Sequence, residues 1–149
     1  MAKEFTFEIY NGQDLKDTKP EYLDKMRDIF LSRDCGKEDV LRYIDEESHI
    51  LCMFDKEDMA GFAWLVLAEK MKLAEICWFV TDKNKAKGMD GKCLLNKVIE
   101  YCKSKDISSI KLNFFDESWA KIEDKEKLFK RIGFEIEKDE NFDASINIK

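Results

Sequence analysis

At 149 residues the chain is long enough for one domain with its own apolar core, and it is read as a single domain over residues 1–149. A hydrophobic content of 44% and an aromatic content of 12% exclude a disordered chain, and 39% charged residues imply a heavily solvated exterior. The net charge of -6 argues against a non-specific nucleic-acid binder; it serves solubility and fits cationic partners such as amines.

Phe5, Phe7 and Ile9 alternate with polar residues, which predicts a first strand ended by Asn11-Gly12. Pro20, the only proline, opens a helix over PEYLDKMRDIFLSRD with Tyr22, Leu23, Met26, Ile29 and Phe30 on one side. Asp34-Cys35-Gly36 breaks it, and KEDVLRYIDEE predicts a second, shorter helix with Val40, Leu41 and Ile44 inward. His49 to Phe54 and Ala60 to Ala68 follow as two strands around the polar loop Asp55 to Asp58. Glu69 to Lys72 make the next turn.

From Leu73 to Val80 the chain is apolar except for Glu75, and Ile76, Trp78, Phe79 and Val80 favour a sheet-interior strand. Strict alternation puts Glu75 on one face with Cys77 and Phe79, and Ile76, Trp78 and Val80 on the other. A carboxylate among apolar neighbours is a candidate general base, because reduced hydration favours its neutral form. The competing reading is a carboxylate at an open strand end or one paired with a lysine. After Thr81 comes a polar, glycine-containing turn, and then Leu94, Leu95, Val98, Ile99 and Cys102 recur at helical spacing from a start near Gly88. The first N–H groups of such a helix lack partners inside it, so that end suits an anion such as a phosphate, with Lys83, Lys85, Lys87 and Lys92 adding positive charge. An ordinary turn with solvated lysines is the alternative.

Ile107 to Phe115 predict another strand, and Trp119 to Ile132 a helix with Trp119, Ile122, Leu128, Phe129 and Ile132 apolar. Phe134 to Glu137 and Ala144 to Ile148 end the chain as two short strands. Cys35, Cys52, Cys77, Cys93 and Cys102 are odd in number and form no CxxC pair, which fits free thiols in a reducing cytoplasm. MAKEFTFEIY is read as neither signal nor transit peptide, and the longest apolar run, Met59 to Ala68, is too short to span a bilayer, so no membrane partner is expected. With His49 the only histidine, no metal site is expected.

KAKGMDGKCLL resembles the acyl-CoA-binding motif of the GNAT superfamily of N-acyltransferases: Arg or Gln, two residues, Gly, one residue, then Gly or Ala. Lys85 falls on the first position, Gly88 on the central glycine and Asp90 on the last. Lys85 keeps the charge; Asp90 brings a carboxylate to the pyrophosphate end, where it either points outward or lowers CoA affinity, with Gly91 beside it. Ala74 to Ile76 is similar to the strand carrying the general base in the histone-acetylating branch, and LFKRIGF resembles the family's C-terminal Gly-Phe motif.

The resemblance implies an α+β GNAT-like fold, with a mixed central sheet of six to seven strands and about four helices. It also implies an acetyl-CoA-dependent N-acetyltransferase in which a primary amine, on a small molecule, a polyamine or a protein, attacks the thioester directly. Glu75 is the implied base. The implied CoA site comprises Phe79, Val80, Lys85, Ala86, Lys87, Gly88, Met89, Asp90, Gly91, Lys92 and Phe129, with a backbone N–H of Phe79 or Val80 aimed at the thioester oxygen. Phe129 stands where many members place a tyrosine acid, and Tyr101 and Ser118 are the alternative acids. The departures at Asp90 and Phe129 leave a second expectation, a catalytically impaired GNAT-like module that binds CoA or a protein partner. A monomer and a homodimer are both compatible with the chain.

Overall fold

The computed structural model describes residues 4–33, 38–87, 90–112, 127, 129–131, 133–135 and 144–148. The first strand, β1 (Thr6–Asn11), runs into a helix the sequence pattern did not announce, α1 (Gly12–Thr18). Asn11-Gly12 looks like a turn, but Asn11 is an N-cap whose Oδ1 accepts from the N–H groups of Gln13 at 2.9 Å and Asp14 at 3.3 Å. Gly12 is required by close approach: a Cβ there would lie 2.4 Å from the Asp45 carbonyl oxygen and 2.6 Å from Ile44 Cγ2.

Helix α2 (Pro20–Ser32) starts at its proline as predicted and buries Met26, Ile29 and Phe30. The predicted short helix is a 3-10 turn, Glu38–Tyr43, with Leu41 buried and Ile44 buried just after it. Six residues give an α-helix little to propagate once nucleated, and the tighter turn suffices to set Leu41 and Ile44 inward. Strands β2 (Ser48–Asp55) and β3 (Asp58–Ala68) form a hairpin whose Lys56 has φ 59°, and the turn Glu69–Met71 leads through Lys72 at φ 52° into β4 (Leu73–Thr81). Helix α3 (Asp90–Ser104), β5 (Ser109–Leu112) and β6 (Ala144–Asn147) follow.

These strands make a six-stranded mixed sheet in chain order, β1 to β6. Every neighbouring pair is antiparallel except β4 and β5, which are parallel because α3 carries the chain back across the sheet between them. The expected α+β class and strand count hold. The α3 side buries Leu51, Met53, Leu65, Ile76, Leu94, Val98 and Ile110; the α1–α2 side buries Leu15, Met26, Phe30, Ile50, Phe62 and Trp64. Each such side chain contributes about 1.5–3 kcal/mol by leaving water.

Near the C-terminus, Lys127, Phe129, Lys130 and Arg131 are helical, and Gly133 ends that helix at φ 123°. The N–H of Phe134 bonds the Phe129 carbonyl at 2.9 Å, which seats Phe134 in the core. Glu135 bridges to Ser145. The Asp34-Cys35-Gly36 break, the strand residues beyond Leu112, Ser118, Trp119, Ile122, Leu128, Ile132 and the strand residues past Glu135 lie outside the described residues.

Candidate active site

Strand β4 carries one residue too many for its partner. Its register with β3 steps from Trp64–Trp78 to Leu65–Ile76, which leaves Cys77 as a bulge. A bulge breaks the alternation of side chains, and here it corrects the expected faces. Ala74 and Ile76 lie in the α3-side core, and Phe79 packs against that same core. Cys77, Trp78 and Val80 pack on the α1–α2 side. Glu75, between Ala74 and Ile76, therefore faces the side of Cys77 and Trp78 and not the side of Phe79.

Glu75 is half-buried, with Val66 of β3 and Lys111 of β5 in register beside it. Its carboxylate makes no hydrogen bond or ion pair with the described residues, and it lies close enough to Cys77 to help raise that thiol. Burial is the larger cause, and together they push Cys77 up to about 11, so it is a neutral thiol at pH 7. Strand β4 pairs with β5 over Leu73–Ser109 to Ile76–Leu112 among the described residues, and with β3 as far as Thr81. Phe79 and Val80 lie past the bulge. On the α3 side Phe79 stacks edge-on against Phe129, with centroids 6.1 Å apart, and Phe129 against Phe134 at 5.5 Å, so three apolar rings form one wall.

The turn after β4 is shaped by a residue the sequence reading passed over. Asp82 is buried, at 5% exposure; its N–H bonds the Ala60 carbonyl at 2.8 Å and its Oδ1 accepts from the N–H groups of Asn84 at 2.8 Å and Lys85 at 3.2 Å. Its carbonyl accepts from Ala86 at 3.0 Å, and Ala86 is itself buried, so only its backbone can face a ligand. Asp-x-Asn directly after a strand was the legible signal for this self-bonded turn. The N–H of Lys83 donates to Ser32 Oγ at 3.1 Å, and Arg33 grips Thr81 through Nε to its carbonyl at 2.8 Å and through a terminal nitrogen to its Oγ1 at 2.7 Å. The C-terminus of α2 is thereby tied to the start of the turn.

At the helix end Asp90 reaches back three residues: its Oδ2 accepts from the Lys87 N–H at 2.9 Å, while its own N–H donates to the Lys87 carbonyl at 3.1 Å. This is the reciprocal half of a capping box. Each described backbone N–H from Lys83 to Lys87 thus has an acceptor within the protein, which modifies the expectation of open donors. In the first turn of α3, Asp90 and Gly91 are half-buried and Lys92 is exposed. Lys83 and Lys87 are exposed and Lys85 is half-buried. Gly88 and Met89 lie outside the described residues.

Tyr101, one alternative acid, is committed elsewhere: its hydroxyl is 2.6 Å from His49 Nδ1, with the rings 5.7 Å apart, at the far end of α3 from Asp90. Burial raises its pKa, which also disfavours proton donation. Among the described residues no group of three His, Cys, Asp or Glu could hold a metal, and no helix is long and apolar enough to cross a membrane.

No protein-family model matches the chain, and no curated protein matches it significantly. Solved structures do. A GNAT-family protein from Desulfovibrio desulfuricans superposes with TM-score 0.79 at 14% identity, covering 98% of this chain and 100% of its own. Tetrahymena GCN5 gives 0.76 at 16%, over 97% and 96%. A Bacillus subtilis acetyltransferase, solved in complex with CoA, gives 0.61 at 19%, over 91% and 79%. The chain has the GNAT fold.

Proposed function

We propose that this GNAT-fold chain is an acyl-CoA-dependent N-acyltransferase that moves an acetyl group from acetyl-CoA to a primary amine of a small molecule, a polyamine or a protein. One arrangement carries the proposal: the Cys77 bulge sits between a half-buried carboxylate at Glu75 and the turn that leads into α3.

The bulge separates two approaches. Glu75, Cys77, Trp78 and Val80 face the α1–α2 side, which is assigned to the acceptor amine. Phe79, Phe129 and the first turn of α3 face the other side, which is assigned to the pantetheine arm and phosphates of CoA. Acetyl-CoA supplies the activated thioester: the nitrogen bonds the carbonyl carbon, the carbon–sulfur bond breaks, and the thiolate leaves. An alkylammonium holds its proton to about pH 10, so a base must take it before attack. Glu75 fills that role directly or through water, and a backbone N–H of Phe79 or Val80 is assigned to the carbonyl oxygen, a contribution of about 3 kcal/mol in comparable sites. The side chains of Lys85 and Lys87, with the stretch Gly88 to Lys92, are assigned to the phosphates, and buried Ala86 shapes the turn between the two lysines. Phe129 gives the thiolate an apolar neighbour and no proton, so the proton comes from solvent. Five cysteines without a pairing pattern suit a cytoplasmic protein.

The bond between the Asp90 carboxylate and Lys87 N–H favours a second reading, a catalytically impaired GNAT-like module that binds CoA or a protein partner. Calorimetric titration with acetyl-CoA, followed by thiol release in an amine panel, separates the two. Turnover that falls by roughly 10²–10⁴-fold in Glu75→Gln with unchanged CoA affinity is the expected result. Equal turnover in both proteins overturns the role of Glu75, and absence of CoA binding overturns the enzyme reading.

A further inference from the structure

The α1–α2 side of the sheet holds two polar atoms that the fold encloses and leaves unused. Glu38 Oε2 and Trp64 Nε1 are both shut off from solvent and have no hydrogen-bond partner, and Trp64 as a whole is only 6% exposed. An enclosed oxygen or N–H without a partner costs about 1–3 kcal/mol, more for a charged group, so a folded chain keeps one where something else fills it.

Both belong to the wall that Glu75 faces. Trp64 sits on β3 directly across from Trp78, one step from the Cys77 bulge. Glu38 opens the 3-10 turn Glu38–Tyr43, whose Val40 and Leu41 join the same apolar cluster as Trp64, Cys77, Trp78 and Val80. The described residues on either side of the turn are tied to the sheet. Arg33, five residues before Glu38, is bonded to Thr81 at the end of β4, and Ile44 and Asp45, just after the turn, press on Gly12 and precede Ser48 of β2. Ser48 pairs with Val66, and Val66 with Glu75, so the chain leaving the turn enters the sheet in the row of Glu75.

Resting on the acyltransferase reading above, we infer that Glu38 is a specificity residue for the acceptor, and that the acceptor carries a second cationic amino group besides the nitrogen that is acylated. One carboxylate, Glu75, serves the reacting nitrogen from β4. The other, Glu38, takes the N–H donors of the second ammonium from the opposite wall. Trp64 and Trp78 pack in the apolar cluster on this same side, and Trp64 Nε1 offers its proton to any lone pair the acceptor bears. Glu38 Oε2, enclosed and unpaired although the residue is half-buried, gains a partner from such a substrate, so a plain monoamine leaves it unsatisfied and binds more weakly.

The test compares an α,ω-diaminoalkane with the monoamine of equal chain length, using acetyl-CoA and thiol release, in the wild type and in Glu38→Gln. The wild type is expected to prefer the diamine by about tenfold to a hundredfold in kcat/KM, the range of a hydrogen bond to a charged partner. Glu38→Gln should remove that preference through the KM of the diamine, leave the monoamine unchanged, and regain part of it in Glu38→Asp. A diamine preference that survives Glu38→Gln, with both amines still turned over, overturns the inference and leaves the acyltransferase reading standing. If neither amine is turned over, absence of acetyl-CoA binding as well overturns the acyltransferase reading, and thermal stabilisation of the protein by the diamine alone decides the inference about Glu38. Stabilisation of the wild type that Glu38→Gln loses supports a diammonium site at Glu38; equal or absent stabilisation overturns it.

Discussion

Asp90 is the residue at which the fold and the proposed ligand compete most directly. Its carboxylate already holds the Lys87 N–H, 2.9 Å away, at the end of the turn where the phosphates of CoA are proposed to lie. A phosphate oxygen seated on the first turn of α3 lies on the order of 5 Å from that carboxylate, and two unit charges at that spacing repel by roughly 1–3 kcal/mol for effective dielectrics between water and a protein surface. Asp90→Asn removes the charge and keeps an oxygen able to accept from Lys87, so the cap survives while the repulsion goes. Desulfo-CoA should then bind roughly 5- to 150-fold more tightly at low ionic strength, and the gain should shrink as salt screens it. Asp90→Ala should show a similar gain in affinity with a loss of about 0.5–2 kcal/mol in stability, because it also removes the cap. Calorimetry at two salt concentrations, with urea unfolding of each variant, reads both quantities. Affinity unchanged in Asp90→Asn would mean the phosphates do not come near this helix end, and weaker binding would mean that the charge holds the turn in the shape the ligand needs.

Two further outcomes follow from the fold. Gly133 has φ 123°, and a Cβ there would meet Leu95 Cδ2 at an ordinary 3.5 Å, so Gly133→Ala should lose about 1–3 kcal/mol from backbone strain alone, read as a lower urea midpoint with unchanged slope; an unchanged midpoint refutes the strain. His49 is held below its usual 6.5, chiefly by burial and secondarily by Lys105, so the unfolded chain binds a proton there that the folded chain refuses. The contribution of His49 to stability is therefore complete above about pH 7.5 and is lost as pH falls through 6.5 toward the lower folded value, at up to about 1.4 kcal/mol per pH unit. His49→Gln should flatten that stretch of the profile of stability against pH, and an identical profile would refute the role of His49.

The sheet and its helices were legible because apolar spacing is a direct record of which faces are buried. Leu94, Leu95, Val98 and Cys102 all went inward as their period implies, and Pro20 opened α2. What failed depends on contacts that no local pattern contains. Asn11-Gly12 reads as a turn until Asp45 and Ile44, more than thirty residues away, are seen pressing on Gly12 while Asn11 caps a helix. The candidate site could be listed from the sequence but not arranged. Glu75, Phe79, Lys85 and Asp90 were all singled out, but the partner of Asp90 and the commitment of Tyr101 to His49 are tertiary facts. Asp82 had a local signature, an aspartate two residues before an asparagine at a strand end, which was overlooked beside the lysines. Glu38 had none: on the sequence it is one of many acidic residues, and only its enclosure distinguishes it.

The single inserted residue at Cys77 explains why the strand can serve two sides at once. Side chains on a strand alternate, so a regular β4 that keeps Ala74 and Ile76 in the α3-side core would send Trp78 and Val80 after them and leave Phe79 beside Glu75. Trp78 would then lose Phe30, whose ring stands 5.2 Å away on the α1–α2 side, and Phe79 would lose Phe129 on the other. With the bulge, the strand before it and the strand after it each bury the face that their neighbours require, and the carboxylate of Glu75 comes to share a side with the tryptophans instead of the phenylalanines. The proposed division between an amine side and a thioester side therefore follows the core packing on both faces of β4.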